Sequence, residues 1–588
     1  MTEPDDHGGY RVANALIRHG TEHLFTLCGG HISPILVAAK EKSIRVIDVR
    51  HEVTAVFAAD AVTRLSDKPG VAVVTAGPGL TNTITAVKNA QMAQSPVILI
   101  GGATATLLKG KGALQDIDQM ALLKPHVKWT GSVKRVRDID AIIDKAFEHA
   151  YTGLPGPVFV EFPVDLLYSE SVIRGWYGLT SGKERNPIEK HYLNWHLKRL
   201  FSGDLHSDLS QKEITAPLPR QDHVQTAARM IDSSKNPLML VSSQAMLSTK
   251  AVPGLRDAIL KLSIPTYLSG TARGLLDPND GIFLRHRRSD ALKQADLILL
   301  VGAPFDFRLA YGRKIPRSTP VVSINRSRHE LNLNRKPELG IIADPAVTIQ
   351  SIANIKSKNG AGWEDWLVQL KESEKNREKE IEKQSGESKK NLNPVALLKK
   401  LDSHLSDKTI LVADGGDFVA TASYIVSPRG PLAWLDPGPF GTLGVGAGFA
   451  LGAKVCRPDS DVWIIYGDGS VAYSLAEFDT FTRHKLPVIA LVGNDASWAQ
   501  IKREQVGILK DDVATVLTHT DYHLAAEGYG GKGFLLNSLD NLQKVYKDSL
   551  KISQSGQPVL INAILGLSLI HISEPTRPLY ISYAVFCL

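Results

Sequence analysis

The sequence has few cysteines and no long apolar run, and each absence excludes a class of protein. Its 588 residues contain only three cysteines, Cys28, Cys456 and Cys587, whose spacing offers neither a disulfide framework nor a metal-binding cluster. No segment resembles a spanning helix, which needs ~20 apolar residues. The most apolar stretch, 438–453, is rich in glycine and favours a ligand-facing loop followed by a helix. We therefore expect a soluble, cytoplasmic protein of a reducing compartment.

Charge of one sign is also not concentrated anywhere in the chain. The net charge is +7, from 68 basic and 61 acidic residues that are mostly interspersed. The densest basic run, "RHRRS" at 285–289, is short. This pattern disfavours a nucleic-acid partner and is compatible with a surface that attracts phosphate-bearing substrates.

Alternating apolar strands and helical segments divide the chain into three α/β regions, 8–170, 223–355 and 393–566. Strand-like runs such as "GVAVVTAGPG" and "WIIYGDGS" end in turn residues and are separated by helical patterns. Each region is therefore predicted to form a doubly wound parallel sheet. Residues 171–222 lose the pattern and are predicted to be a linker, and 356–392 a charged helical linker.

Two polar signals stand at the ends of consecutive strands in the third region. Asp468 lies between two glycines after one strand, and Asn494 and Asp495 end the next. Ligands of open parallel sheets bind at the carboxyl ends of the strands. Two carboxylates and the main-chain carbonyl of Ser497 are oxygen ligands of the kind that Mg²⁺ prefers. The spacing does not match an EF-hand, and the sequence predicts a magnesium site here.

These strand ends resemble the diphosphate-binding motif of thiamine-diphosphate enzymes, a Gly-Asp-Gly turn followed at the next strand end by Asn-Asn or Asn-Asp. The resemblance implies that Asp468 and Asp495 bind Mg²⁺ through their side chains and Ser497 through its carbonyl. It also implies cofactor contacts from Gly467, Gly469 and Ser470. The related enzymes more often have asparagine at the position of Asp495, so this chain carries an extra negative charge there.

Glu52 stands directly after a strand, at the start of an alanine-rich helix. The helix macrodipole alone favours an acidic residue at this position. In thiamine-diphosphate enzymes a glutamate in this context hydrogen-bonds the N1′ nitrogen of the aminopyrimidine ring and thereby activates the cofactor. The resemblance therefore implies that Glu52 is a catalytic residue.

Residues 73–102, "VVTAGPGLTNTITAVKNAQMAQSPVILIGG", resemble the pyrimidine-domain signature of the acetolactate synthase superfamily. The resemblance implies that cofactor contacts come from Gly77, Pro78, Gly79 and Asn82. In the following "GALQDIDQ", Gln115 matches a glutamine that faces the thiazolium ring, so a catalytic role is implied; a surface amide is the alternative.

Two segments of the third region resemble the loops that approach the cofactor from the other side. In "GPFGTLGVGAGFALGAK" the resemblance implies cofactor contacts from Gly441, Thr442 and Leu443. Leu443 would support the bent shape of the cofactor, or it is a core leucine. In "VADGGDF", Gly415 and Gly416 are expected to approach the diphosphate.

The resemblance covers residues 8–565 in the order pyrimidine, central and diphosphate domain. Segments such as "GGHISP", "YSLAEFDTFTRHK" and "VGNDASW" look like the animal 2-hydroxyacyl-CoA lyase branch. That branch implies cleavage of a 2-hydroxyacyl-CoA to formyl-CoA and an aldehyde one carbon shorter, a reaction of fatty acid alpha-oxidation. An acetolactate-synthase-type carboligase joining 2-oxoacids, with FAD in the central domain, and a non-catalytic protein remain alternatives.

Further contacts are expected from the same resemblance. Arg273 and Arg308 are candidates for the coenzyme A site, and His31 lies near the expected substrate entrance or is satisfied locally as a turn histidine. Members of the superfamily share active sites between subunits, so a homodimer is the expected minimum and a homotetramer is common. Glu52 of one subunit would then meet Asp468 of another.

Both ends of the chain carry expectations of their own. Residues 567–588, "LSLIHISEPTRPLYISYAVFCL", resemble translated sequencing-adapter read-through, so we expect them to be non-native. The polar start "MTEPDDHGG" contains no signal peptide. Animal relatives carry a hydrophobic anchor for the endoplasmic reticulum membrane ahead of this region, and a membrane association is expected only if such an anchor exists.

Overall fold

The computed structural model describes residues 7–180, 186–202, 216–355, 362–386 and 391–566. The expectations for the first six residues and for 567–588 therefore lie outside the described residues. The chain divides into two compact units, with the division between residues 215 and 216. The first unit contains one sheet and the second contains two.

The first unit is built on a parallel six-stranded sheet with the order β2-β1-β3-β4-β6-β5. Its strands are β1 (His23–Leu27), β2 (Arg45–Asp48), β3 (Val71–Val74), β4 (Ile98–Ala103), β5 (Trp129–Ser132) and β6 (Val158–Pro163). Its helices are α1 (Gly8–Arg18), α2 (Ser33–Glu41), α3 (Glu52–Leu65), α4 (Pro78–Thr81), α5 (Ile84–Met92), α6 (Gln119–Leu123), α7 (Ile139–Tyr151), α8 (Glu170–Trp176) and α9 (Pro187–Phe201). Helix α9 and all of α8 except its first residue lie within 171–222, the segment that the sequence predicts to be a linker.

The central sheet, in the second unit, is also parallel and six-stranded, with the order β12-β11-β10-β7-β8-β9. Its strands are β7 (Pro237–Val241), β8 (Thr266–Leu268), β9 (Phe283–Leu284), β10 (Leu297–Val301), β11 (Val321–Asn325) and β12 (Leu339–Ile342). The helices here are α10 (Gln221–Ser233), α11 (Val252–Leu262), α12 (Arg288–Gln294), α13 (Arg328–Leu331) and α14 (Pro345–Ile355). The charge-rich segment that follows forms α15 (Glu364–Ser385), as its helical pattern predicts.

The third sheet completes the second unit, with the order β14-β13-β15-β16-β18-β17. Its strands are β13 (Thr409–Ala413), β14 (Trp434–Leu435), β15 (Asp461–Gly467), β16 (Ile489–Asn494), β17 (Lys532–Leu536) and β18 (Val559–Ile564). Its helices are α16 (Pro394–Asp402), α17 (Asp417–Ile425), α18 (Gly446–Cys456), α19 (Asp468–Val471), α20 (Glu477–Arg483), α21 (Ala499–Leu509), α22 (Tyr522–Gly528) and α23 (Leu542–Gln554). Short 3-10 turns occur at Val136–Asp138, Val164–Leu166, Ser243–Met246, Thr249–Ala251, Gly270–Ala272, Phe307–Gly312 and Gly438–Phe440.

The middle strands of these sheets are apolar on both faces because helices cover both sides. Every residue of β3, β10 and β13 is buried, which is the pattern of a parallel sheet inside an α/β domain. Each sheet has its own apolar cluster. The predicted fold, three doubly wound parallel sheets, is confirmed.

Among the described residues, no helix combines the length and the apolar character that crossing a bilayer requires. Cys28 and Cys456 are free thiols.

Candidate functional site

Glu52 is the first residue of α3, at the carboxyl end of the first sheet. His51 caps this helix, since its Nδ1 accepts a hydrogen bond from the Val53 amide at 3.2 Å. The Glu52 side chain is buried although it is ionisable, and its Oε2 accepts a hydrogen bond from Asn82 Nδ2 at 3.0 Å. A buried carboxylate needs such donors, and its Oε1 remains next to the backbone of Gly79, where an added Cβ would lie 3.5 Å away.

Gly77 makes the turn that brings the backbone of Gly79 next to the Glu52 side chain. Its φ of +61° is a left-handed value that other residues rarely adopt, and Pro78 then begins α4 with a preset φ. A Cβ on Gly77 would lie 2.9 Å from the Cβ of Gln115. The turn and the Gln115 loop are therefore packed backbone against backbone.

The side chain of Gln119 holds this turn in place and was not singled out by sequence reasoning. Its Oε1 accepts from the Gly77 amide at 3.1 Å, and its Nε2 donates to the Gly102 carbonyl at 3.0 Å and to Glu161 Oε2 at 3.2 Å. Gln119 is only 2% exposed. A glutamine at the start of a short helix is a common feature, so the sequence contained no signal that set it apart from Gln115.

Gln115 itself is half-buried, with a left-handed φ of +63°. Within the described part of the chain its amide has no hydrogen-bond partner, in contrast to Gln119. His31 packs nearby, with its Nδ1 3.3 Å from Thr75 Oγ1. Burial lowers the pKa of His31, and its contact with Thr75 fits a locally satisfied turn histidine.

A separate group of predicted site residues lies in the second unit, where β15 ends at Gly467. Asp468 follows as the first residue of α19. Its carboxylate accepts hydrogen bonds from the amides of Gly469, at 2.8 Å, and Ser497, at 3.1 Å. A Cβ on Gly469 would lie 2.4 Å from the Trp498 ring, so only glycine allows this approach.

Asp495 follows the neighbouring strand and lies beside Asp468. Strands β15 and β16 are adjacent, with Gly467 paired to Gly493, and Asp495 Oδ1 accepts a hydrogen bond from Ser497 Oγ at 3.1 Å. Burial and the charge of Asp468 raise the pKa of Asp495 to about 7, and burial raises the pKa of Asp468 as well. Asn494 points elsewhere: its amide donates to the Thr520 carbonyl at 3.2 Å.

Two adjacent, largely buried carboxylates disfavour each other's ionisation unless a cation neutralises them. Their oxygens, with a main-chain carbonyl, have the chemistry of a magnesium site that receives its remaining ligands from phosphate and water. Among the described residues, no group of three or more His, Cys, Asp or Glu side chains could hold a metal ion. The magnesium site and the individual ligand roles of Asp468, Asp495 and Ser497 stay predictions.

The glycine loops around Asp468 are tied together by a residue that sequence reasoning did not single out. Asp414 is fully buried and accepts hydrogen bonds from the amides of Gly444, at 2.9 Å, and Gly446, at 2.6 Å. Burial raises its pKa to about 7. It thereby connects the end of β13 to the loop before α18.

The remaining predicted contacts of the second unit lie near the same strand ends. The Gly415 carbonyl accepts from the Gly467 amide at 3.2 Å, and Gly416 packs against Gly467. The Ser470 hydroxyl bonds both the amide and the carbonyl of Gly467. Gly441, Thr442 and Leu443 are half-buried.

The two arginines considered for coenzyme A are both engaged. Arg308 forms an ion pair with Asp306 at 2.6 Å. Arg273 donates to the Ser423 carbonyl and lies over the Trp434 ring, 5.2 Å from its centroid. Their role in substrate binding stays a prediction.

Comparison with protein families gives three matches along the chain. Residues 6–122 match the N-terminal TPP binding domain of thiamine pyrophosphate enzymes, 224–352 the central domain, and 414–563 the C-terminal TPP binding domain.

Comparison with curated proteins gives relatives over nearly the whole chain. The zebrafish 2-hydroxyacyl-CoA lyase 2 is 50% identical over 570 residues, which covers 95% of this chain and 92% of the relative. The human 2-hydroxyacyl-CoA lyase 2 is 48% identical, covering 95% of this chain and 90% of the relative. The acetolactate synthase large subunit IlvG of Mycobacterium tuberculosis is 30% identical, covering 95% of both chains.

Proposed function

The chain belongs to the thiamine pyrophosphate enzyme family, and from this premise we propose that it is a thiamine-diphosphate- and magnesium-dependent carbon–carbon lyase. Its proposed substrate is a 2-hydroxyacyl-CoA, and its products are formyl-CoA and an aldehyde one carbon shorter. The observation that carries this choice is the 45–50% identity to proteins named 2-hydroxyacyl-CoA lyase 2, against 30% to acetolactate synthases.

The bound cofactor would supply the nucleophilic carbon and the electron sink that carbon–carbon cleavage needs. Glu52 would hold the N1′ nitrogen of the aminopyrimidine by a hydrogen bond and exchange a proton with it. Its burial strengthens a hydrogen bond to that nitrogen because the local dielectric is low. The 3.0 Å bond from Asn82 fixes the orientation of the carboxylate, so that Oε1 is the oxygen left for the cofactor.

Asp468, Asp495 and the Ser497 carbonyl would hold Mg²⁺ at the diphosphate. The hydrogen bonds from the Gly469 and Ser497 amides fix the Asp468 carboxylate. The diphosphate is proposed to bind at the backbone of Gly415, Gly416, Gly467 and Gly469, where strand ends and glycine turns come together. Gln115 and Leu443 are proposed to contact the thiazolium side, where the amide of Gln115 has no competing partner among the described residues.

We further propose that the active enzyme is a homodimer or homotetramer, because the resemblance implies sites shared between subunits. A role in fatty acid alpha-oxidation at the endoplasmic reticulum membrane belongs to the same proposal. Light scattering coupled to gel filtration tests the assembly, and a monomer with full activity would contradict it.

The reaction is tested by incubating the purified protein, with Mg²⁺ and thiamine diphosphate, with a long-chain 2-hydroxyacyl-CoA or with pyruvate. Mass spectrometry of the first mixture should detect formyl-CoA and the shortened aldehyde, and Glu52→Gln should abolish both. Acetolactate from pyruvate, without cleavage of the acyl-CoA, would instead support the carboligase.

A further inference from the structure

Helix α9 of the first unit presents a row of large apolar side chains to solvent. Ile188, Tyr192 and Trp195 are 79%, 50% and 52% exposed. Their spacing of four and then three residues places them on one side of the helix, and the rings of Tyr192 and Trp195 lie 6.1 Å apart. We call these three residues the outer face of α9. Apolar side chains exposed singly are ordinary, whereas a continuous apolar patch marks an interaction site.

The opposite side of α9 is the side that packs on the first unit. Leu193, Leu197 and Leu200 are buried, and Leu200 belongs to the apolar cluster of the first sheet. These leucines are also spaced four and three residues apart, on the side of the helix away from the outer face. The helix is therefore apolar on two sides, and only one of them contributes to the core.

Polar contacts fix α9 in this orientation. Asn194 Oδ1 accepts a hydrogen bond from Arg174 of α8 at 2.8 Å. His196 Nε2 lies 2.9 Å from Thr106 Oγ1, which donates in turn to the fully buried Asp165 at 2.5 Å. Because a rotation of α9 that buried the outer face would break these contacts, the outer face stays exposed to a partner.

Cationic side chains accompany the outer face. Lys190, Lys198 and Arg199 are exposed, and the Arg199 guanidinium lies over the Trp195 ring, 5.8 Å from its centroid. Glu189 is the one acidic residue of α9. Three cations against one carboxylate leave an excess of two positive charges on this helix, which favours a partner that brings negative charge.

Tryptophan and tyrosine rings beside lysine and arginine are typical of helices that lie in the interface of a lipid bilayer. The rings settle at the level of the headgroups, and the cations attract anionic lipids. We propose that the outer face of α9 docks the protein on a bilayer surface that contains anionic lipids. A second copy of this chain fits less well, because a twofold contact through this face would bring Lys198 and Arg199 close to their own counterparts.

The docking surface is a part of the folded first unit, so it does not require a hydrophobic anchor. It also does not rest on the proposed lyase reaction, because docking is measured as vesicle binding and not as turnover. The test is flotation of the magnesium- and thiamine-diphosphate-loaded full chain with vesicles. One set of vesicles contains phosphatidylcholine alone, and the other contains phosphatidylcholine and phosphatidylserine.

The first variant combines Tyr192→Ser and Trp195→Ser, which removes both rings of the outer face. Its matched control combines Leu524→Ser and Tyr529→Ser, two exposed apolar side chains of the second unit. We expect binding to the phosphatidylserine vesicles to weaken by about tenfold or more in the first variant, because the apolar area that enters the interface is lost. The control should bind as the wild-type protein does.

The second variant combines Lys198→Gln and Arg199→Gln. Its control combines Lys375→Gln and Lys379→Gln, two exposed lysines of α15, and lowers the net charge equally. Each lost cation of α9 should weaken binding to the phosphatidylserine vesicles by about fivefold, with little change on phosphatidylcholine alone. All variants have the same chain ends, so a difference between them reports on the changed residues, and thermal melts verify that each is folded.

The proposal is wrong if the wild-type protein does not bind the phosphatidylserine vesicles, or if both variants bind as well as their controls. It is also wrong if light scattering shows that the first variant dissociates an oligomer of the wild-type protein while vesicle binding is unchanged, since the outer face would then be an interface between copies. Vesicle binding without lyase activity would count against the proposed reaction and leave the docking surface standing.

Discussion

Replacing Gln119 by leucine tests whether the turn at Gly77 depends on a single buried amide. The substitution keeps the approximate volume but removes one acceptor and two donor contacts, to the Gly77 amide, the Gly102 carbonyl and Glu161. Glu161 retains Lys109 at 2.8 Å and Ser132 at 3.0 Å. The Gly77 amide and the Gly102 carbonyl lose this partner, and each unsatisfied buried group costs about 1–3 kcal/mol. We therefore expect the free energy of unfolding of the first unit to fall by about 2–6 kcal/mol.

The matched control is Gln115→Leu, the same chemical change four residues earlier on a half-buried amide without a hydrogen bond among the described residues. It should change stability by no more than about 0.5 kcal/mol, although it removes a proposed contact to the cofactor. Urea denaturation measures the stability of the variants, and hydrogen exchange measures the protection of residues 71–103. Fluorescence quenching measures their affinity for thiamine diphosphate. Gln119→Leu should lower both protection and cofactor affinity. Equal losses of stability and of hydrogen-exchange protection in the two variants, or no such loss in Gln119→Leu, would refute the positioning role of Gln119.

Three further predictions concern Gly469, the pair Asp468 and Asp495, and Asp414. Gly469→Ala places a Cβ 2.4 Å from Trp498, so it should lower the free energy of unfolding, measured by urea denaturation, by about 1–3 kcal/mol. Its control is Gly507→Ala, a helix position with open space around it, which should not destabilise the protein. Asp468→Asn should weaken Mg²⁺-dependent cofactor binding, measured by calorimetry, by more than about tenfold. Asp495→Asn introduces the residue that related enzymes more often have at this position, so it should retain cofactor binding. Equal effects of the two substitutions would contradict the ligand assignment. The pKa of Asp414 is raised to about 7 from 3.8, so the folded state binds more protons and the free energy of unfolding should fall as the pH rises between these values. Asp414→Asn should remove this fall, which totals up to about 4 kcal/mol over the interval, and an unchanged slope would show that Asp414 does not titrate in this range.

The parallel strands were predictable because each middle strand is a continuous apolar run bounded by turn residues, as in "VAVV" of β3. The short edge strands β5, β9 and β14 were not, since two to four residues such as "WTGS" carry no period. The neighbouring positions of Asp468 and Asp495 followed from the rule that parallel strands end at one edge. The supporting residues Gln119 and Asp414 could not be predicted, because their partners are backbone amides and carbonyls that tertiary packing brings to them.

The measurement that tests the central claim most directly follows the carbon atom released by cleavage. A 2-hydroxyacyl-CoA labelled with ¹³C at the thioester carbon is incubated with the protein, Mg²⁺ and thiamine diphosphate, and the products are identified by mass spectrometry. The account predicts labelled formyl-CoA with an unlabelled aldehyde one carbon shorter, and neither product with Glu52→Gln. Labelled 2-hydroxy acid as the only product, or cleavage that persists in Glu52→Gln, would contradict it.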